Sequence, residues 1–360
     1  MVNIGTYLQA YALARIAENK NVDVEYVNYI RPRSRWIWKS YSAWKKHGGW
    51  ARGAAAAVYG LFVDLISLRR CKGFLESRVR LSKRYFSIEQ LRKDPPIADL
   101  YLTGSDQVWN PVHNDGMDRA FFLNYGSEKA LRFAYAASIG LDSIPEEFKA
   151  DMVAMLGKYS LIATREHTAQ QLLKAAGIEN VVTVLDPTML FDREMWRGVA
   201  AEDQFVKKER YLLVYSVENE LLPVVSETSA RIAERLGLKI YFVTPRWFAS
   251  SVKSHRRFYF ATPPRFLSLF LNADFAVVSS FHGTAFSLNL NVPFVSITPN
   301  QFNVRVRDLL EHFGLENRLV RNAHAAIHVC DQSIDWDRLN EQLQKERAQS
   351  VIYIEQIVQA

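Results

Sequence analysis

Short apolar runs rich in β-branched and aromatic residues alternate with amphipathic stretches along most of this chain of 360 residues. Residues 6–18, TYLQAYALARIAE, put Leu8, Tyr11, Ala12 and Ile16 on one helical face, and Val22–Ile30 alternates as a strand does. Residues 99–104, DLYLTG, predict a short buried strand, followed by the polar turn SDQVWN. Further strands are expected over Ala130–Ile139, over Leu161–Thr164 running straight into Arg165, and over Val181–Leu185, ended by Asp186-Pro187. Helices are expected over Pro145–Lys158 and 168–176, the latter closed by Gly177. After the polar run AAEDQFVKKER at 200–210 the pattern restarts. Strands are predicted over Tyr211–Val217, Lys239–Val243, Phe275–Val278 and Pro293–Ile297. Helices are predicted over Leu222–Leu236, Pro264–Leu271, Thr284–Leu290, 304–313 and 335–358. Such alternation makes parallel sheets covered by helices on both faces. The economical architecture is two α/β domains facing each other across a cleft: residues 1–199, a linker at 200–210, residues 211–330, and a C-terminal helix within 331–360. Ligands of such sheets sit at the carboxyl ends of strands.

One of these strand ends carries the most chemistry. In DFAVVSSFHGTAFSLNLN (274–291) an apolar run stops at Ser279-Ser280-Phe281-His282-Gly283 before the helical pattern at Thr284. Strand, polar turn and helix is the arrangement that aims backbone N–H groups at an anion. His282 in that turn can donate to phosphate or move a proton near neutral pH. Other strand ends contribute Asp106, Gln107 and Trp109 from GSDQVWN, Arg165 from ATR, and Arg246 from YFVTPRW. One carboxylate, two guanidiniums and one imidazole suit a small, multiply anionic substrate, because arginine holds a carboxylate or phosphate through two parallel N–H bonds. Each residue also has a structural reading: Asp106 as a helix N-cap, Arg165 as a surface residue in a first helical turn, Trp109 as a core or pocket-wall residue, Arg246 as part of a solvated loop.

Composition narrows the classes. The chain is 49% hydrophobic and 23% charged, ordinary for a globular protein, and its two cysteines lack metal-ligand spacing. The start MVNIGTYLQAYAL lacks the pattern of a signal peptide, which suggests a cytoplasmic protein. The net charge of +7 is local: residues 31–84 hold 14 Lys/Arg against 2 Asp/Glu, and the rest of the chain is slightly acidic. That basic segment also bears Trp36, Trp38, Trp44 and Trp50 around an apolar stretch interrupted by Gly60 and Asp64. It reads as a helical insertion, either packed on its own domain or lying peripherally on an anionic membrane surface. No nucleic-acid recognition motif accompanies the charge.

Taken in order, NIGTYLQAYAL, GSDQVWN, the strand ending in Arg165, VLDPTMLF and SSFHGTAFSLNLNVPFV resemble the polysaccharide pyruvyl transferases over nearly the whole chain. The resemblance implies two Rossmann-like domains in a GT-B-type arrangement. It also implies transfer of the pyruvyl group of phosphoenolpyruvate to a hexose or N-acetylhexosamine of a cell-surface polysaccharide or its lipid-linked precursor, closing a ketal. By that resemblance Arg165 holds the donor's anionic groups, His282 meets donor phosphate and supplies acid chemistry, and Asp106 is a base or sugar-hydroxyl ligand. Ser280, Phe281, Gly283, Gln107, Trp109, Arg246 and Asn3 complete the expected substrate site. No cofactor or metal is expected, since arginines and a helix N-terminus suffice to clamp the donor. The alternatives are a glycosyltransferase of the same frame using a nucleotide sugar, and an inactive sugar- or membrane-binding relative. One departure stands out: the chain begins at the Asn-x-Gly-x-x-Leu-Gln segment itself, so the first sheet is expected to lack its opening strand.

Overall fold

The strand-forming runs become three parallel sheets in the computed structural model of the chain, which describes residues 3–31, 65–66, 69–218, 220–244, 252–298 and 304–360. The opening helix α1 (Ile4–Glu18) is capped by Asn3, whose side chain accepts the Gly5 N–H, and it buries Leu8, Ala12, Leu13 and Ile16. Strand β1 (Glu25–Tyr29) pairs in parallel with β2 (Arg80–Tyr85) as a separate two-stranded sheet. The end of the basic segment is thus a strand rather than helix, as the alternation in RLSKRY allows. Residues 69–76 are helical, and Phe74 packs edge-on against Tyr11 at 5.3 Å between ring centroids. The four tryptophans of that segment, and Arg246, lie outside the described residues.

The first large sheet runs β3 (Leu100–Thr103), β4 (Leu131–Ala137), β5 (Leu161–Thr164), β6 (Val181–Thr183), neighbours in chain order. Its helices are α2 (Ile88–Lys93), α3 (Pro111–Asn114), α4 (Glu146–Leu156), α5 (His167–Ala175), α6 (Pro187–Leu190) and α7 (Arg193–Ala200). Near its carboxyl end β4 bulges: the pairing with β5 shifts between Ala134 and Ala137, and Ala136 has φ +54°.

The second sheet is built from β7 (Tyr211–Tyr215), β8 (Lys239–Thr244), β9 (Arg256–Tyr259), β10 (Phe275–Val278), β11 (Phe294–Ile297) and β12 (Leu319–Val320). Their spatial order is β12-β11-β10-β7-β8-β9, all parallel. Strands β8 and β9 run to one side of β7, and β10, β11 and β12 to the other. That is the doubly wound order, with its reversal between β7 and β10, where such folds place a ligand. Strands β7 and β10 are apolar and buried over their full length because helices cover both faces. Those helices are α8 (Leu222–Leu236), α9 (Pro263–Leu271), α10 (Phe281–Asn289), α11 (Val304–His312) and α12 (Ala323–Cys330). Among the described residues no helix is long and apolar enough to cross a membrane.

The final helix, α13 (Trp336–Gln359), returns to the first half of the chain. Its Ser350 hydroxyl accepts the Leu185 N–H at 3.1 Å, its Tyr353 hydroxyl donates to Ala134 O at 3.4 Å, and Glu355 pairs with Lys20 in the turn after α1. One structural correction matters for the site. Helix α10 begins at Phe281, not at Thr284, because the Ser280 hydroxyl caps it by accepting the Gly283 N–H at 3.1 Å. The stretch expected as a turn is the first turn of a helix.

Candidate functional site

Carboxyl ends of both large sheets converge on one cluster. From the second sheet, β7 leads to Ser216 and Glu218, and β10 leads to Ser279, Ser280 and His282. From the first, β3 leads to Ser105 and Asp106, β5 to Arg165 and Glu166, and β6 to Asp186. Helix α1 lies between the halves.

His282 is 2% exposed. Its Nδ1 stands 3.4 Å from Asn3 Nδ2, and its Nε2 stands 3.9 Å from Asp186 Oδ2 without any hydrogen-bond partner among the described residues. The ring fits only because residue 5 is glycine: a Cβ there would stand 2.2 Å from His282 Cγ and 2.6 Å from Nδ1. Burial pushes the imidazole pKa down; Asp186 and Asp106 pull the other way, while Arg165 and Arg305 reinforce the burial.

Arg165, expected as a possible surface residue or a donor clamp, is locked. Its side chain is 1% exposed, Nε donates to Glu166 Oε1 at 2.8 Å, and Nη1 donates to Asp186 Oδ2 at 3.2 Å and to the Ser105 hydroxyl at 3.3 Å. The guanidinium lies 3.9 Å from the centroid of the Phe281 ring. Its remaining nitrogen, Nη2, is buried without a partner among the described residues. Arginine fits this role because its planar fork serves two carboxylates and still presents one donor.

Asp106 sits on a backbone with φ +101°, a conformation that costs on the order of 1–3 kcal/mol for a residue with a side chain. The surrounding bonds hold it there: its carbonyl accepts the Ser138 N–H at 3.0 Å, Oδ1 accepts the Gln107 N–H at 2.8 Å, and Oδ2 accepts the Thr6 hydroxyl at 2.9 Å. It is therefore not a helix N-cap; Asn110 takes that role for α3. Enclosure by protein works against its ionisation, but the charges of His282 when protonated, Arg165 and Arg305 outweigh this and hold the carboxyl at about 2.

The other expected residues divide. Ser280 caps α10 and Phe281 carries Arg165, so both shape the cluster. Gly283 is enforced by close packing, since a Cβ would stand 2.9 Å from Val278 Cβ. Asn3 bridges α1 to His282 and to the Tyr215 hydroxyl. Gln107 turns aside to accept from Asn110 Nδ2 at 2.8 Å, which braces the loop. Trp109 lies in the core of the first half, stacked on Phe122 with its Nε1–H donating to Phe121 O at 3.2 Å.

Several members were not singled out from sequence. Asp186 ties together Arg165, Ser105 at 2.7 Å and the Thr188 hydroxyl at 2.7 Å, and its pKa is lowered because His282, Arg165 and these hydroxyls overcome its burial. Its signal was in the chain: Asp-Pro directly after a strand marks a capped helix start at a carboxyl end. Arg305, in the first turn of α11, interacts electrostatically with Arg165, Asp106, Glu166 and Glu218, and its Nε has no partner among the described residues. Glu218 accepts from the Ser279 hydroxyl at 2.6 Å, and burial raises its pKa.

The far ends of the site helices are cross-braced. Asn289, at the end of α10, donates to Thr188 O and Phe191 O around α6. Arg347 of α13 donates to Met189 O at 2.7 Å and to Asn289 Oδ1 at 2.5 Å. The helix of His282 and the helix that Asp186 caps are thereby fixed relative to each other.

Two guanidiniums, four carboxylates and an imidazole leave three buried nitrogens without a partner among the described residues: Arg165 Nη2, His282 Nε2 and Arg305 Nε. Buried donors without partners are rare in native proteins and mark a place where an acceptor belongs. Among the described residues, no group of three or more His, Cys, Asp or Glu is placed to hold a metal ion.

The whole chain folds like several sugar-nucleotide enzymes. The UDP-GlcNAc 2-epimerase of Neisseria meningitidis bound to UDP-GlcNAc is 10% identical over 99% of this chain and 98% of that one, with TM-score 0.55. The UDP-GlcNAc 2-epimerase of Methanocaldococcus jannaschii is 14% identical over 91% and 89%, with TM-score 0.52. The UDP-N-acetylglucosamine 2-epimerase of Rickettsia bellii is 13% identical over 93% and 98%, with TM-score 0.51. At such identities the likeness establishes the fold, two Rossmann-like domains in a GT-B-type arrangement. No curated protein matches the sequence. The family model of the polysaccharide pyruvyl transferases matches residues 3–301, a span that opens at Asn3 and takes in Gly5, Asp106, Arg165, Asp186 and His282. With these residues gathered at the facing strand ends, the chain belongs to the polysaccharide pyruvyl transferase family.

Proposed function

We propose that this transferase moves the pyruvyl group of phosphoenolpyruvate onto two hydroxyls of a hexose or N-acetylhexosamine unit in a cell-surface polysaccharide or its lipid-linked precursor. The observation that carries this reading is the set of nitrogens on Arg165, His282 and Arg305, in one enclosed cluster, that have no partner among the described residues. Each offers a donor to a carboxylate or phosphate oxygen, and a charge-assisted bond of this kind contributes about 1.5–3 kcal/mol net. The guanidiniums stabilise charge that grows on the leaving phosphate, and the low-dielectric surroundings strengthen that effect.

The atoms balance without a further reactant. One acceptor hydroxyl adds to the central carbon of the donor while the methylene carbon becomes a methyl group. The second hydroxyl then displaces phosphate and closes the ketal. Of the two hydroxyl protons, one ends on the methyl carbon and the other on the released phosphate. Asp106, ionised and half-buried, is suited to orient an acceptor hydroxyl. Glu218, whose pKa burial raises, is the carboxyl in the cluster best suited to take up and return a proton.

The basic, tryptophan-bearing segment at 31–84 supports a reaction at an anionic membrane surface, where lipid-linked sugars reside. Sedimentation with anionic vesicles that salt reverses tests this; free protein at low salt rejects it. The activity itself is tested by incubation with phosphoenolpyruvate and oligosaccharide or lipid-linked acceptors. Inorganic phosphate release with a pyruvylated acceptor is the expected result. Release of a nucleoside diphosphate from a sugar nucleotide instead would assign the glycosyltransferase alternative.

A further inference from the structure

The contacts of α1 bear on the protonation of His282 as well as on its place. Asn3 Oδ1 accepts from two donors, the Gly5 N–H at 3.0 Å and the Tyr215 hydroxyl at 3.1 Å. With its oxygen so occupied, Asn3 turns its Nδ2, which can only donate, toward His282 Nδ1 at 3.4 Å. Nδ1 must then offer a lone pair, and the ring proton resides on Nε2, the nitrogen left unpaired in the cluster. We propose that Asn3 is a positioning residue that holds His282 as the neutral Nε2–H tautomer, so that His282 donates a hydrogen bond to substrate oxygen instead of acting as a general acid.

Reversing the amide would set its N–H groups against the N–H of Gly5 and face its oxygen to the ring, forfeiting the helix cap. Asp186 before α6 and Asp106 after β3 favour the imidazolium. Arg165 after β5 and Arg305 on α11 oppose it, as does burial, while Asn3 and Gly5 of α1 close the Nδ1 side. A neutral imidazole is an established electrophile in enzymes that polarise a substrate oxygen. On the pyruvyl-transfer reading, on which the chemical meaning of this role rests, the carbon-bound proton then comes from the acceptor hydroxyl by way of a carboxylate: the hydroxyl O–H breaks and the methyl C–H forms.

The test is nitrogen-15 NMR of the full-length protein labelled at histidine, with the His282 signals assigned by their absence in His282→Gln. The expected wild-type pattern at neutral pH is a proton on Nε2 and a bare Nδ1. Asn3→Asp keeps an oxygen for Gly5 and Tyr215 but turns a carboxylate oxygen to Nδ1. It should move the proton to Nδ1 and raise the ring's pKa by about 1–3 units. The pH profile of phosphate release should shift with it. A wild-type ring protonated on Nδ1, or an Asn3→Asp ring indistinguishable from wild type, would overturn the proposal. The tautomer is read without substrate. Failure to consume phosphoenolpyruvate would therefore sink the functional reading while leaving the role of Asn3 standing.

Discussion

Replacing Gly5 by alanine tests the close approach of α1 to His282 with a single methyl group. A Cβ at position 5 would stand 2.2 Å from His282 Cγ, so an ordinary carbon–carbon contact of about 3.5 Å demands a separation of about 1.3 Å. The ring is buried and backed by its own helix, so the strain falls on α1, on Asn3 or on the imidazole itself. Overpacking of this kind costs about 1–3 kcal/mol. Alanine also gains up to about 1 kcal/mol of helix propensity over glycine, so the net loss of stability should fall between about 0 and 3 kcal/mol. Turnover should suffer more, because a displacement of about 1 Å in a reacting group costs on the order of 100-fold. Phosphate release and urea unfolding of Gly5→Ala give the two quantities. Gly73→Ala is the internal control: a Cβ there meets nothing within 4 Å among the described residues, so it should leave turnover unchanged and stability equal or higher. Wild-type turnover in Gly5→Ala would show that the helix and the imidazole part freely, and the reasoning would fail.

Other substitutions separate charge from geometry. Arg165→Ala should remove turnover and also cost about 3–5 kcal/mol, because Glu166 and Asp186 would be left buried without their guanidinium. An unshifted urea midpoint would refute this. The pH dependence follows from the lowered pKa of His282. Below about pH 6.5 the unfolded chain binds a proton on this ring that the folded chain refuses, so stability should fall as pH drops from about 7 to 5. His282→Gln should remove that component. His312 has the opposite sign: Glu346 raises its pKa, so its contribution is full at low pH and fades as pH rises through the folded value. A wild-type-like slope in His282→Gln would contradict the assignment.

Much of this was legible because strand ends announce themselves. The apolar run Phe275–Val278 stops at serines, and those serines do what such residues do, one capping α10 and the other bonding Glu218. The alternation over 161–164 ended at Arg165 in the structure as in the sequence. Less visible were features that depend on distant chain segments. β12 is two residues long and pairs with β11, too short to carry a period. Asp186 looked like turn punctuation and is indeed a cap for α6, but folding also places its second oxygen on Ser105 and Arg165. Arg305 reads as an exposed residue of a charged helix start, and only the packing of α11 turns it inward. Trp109 and Asp106 share one polar turn, yet the tryptophan goes to the core and the aspartate to the cluster. Proximity in sequence did not decide which faced the chemistry.

The brace supplied by α13 has a consequence for reading variants of this protein. Arg347 grips the trailing end of the helix bearing the imidazole and the short helix behind the buried carboxylate, far along the chain from both. The last 24-residue helix therefore behaves as the spring of a caliper, setting a gap it never touches. Changes there should surface first as slow enzymes rather than as melted ones, and a screen that watches only abundance would pass over them.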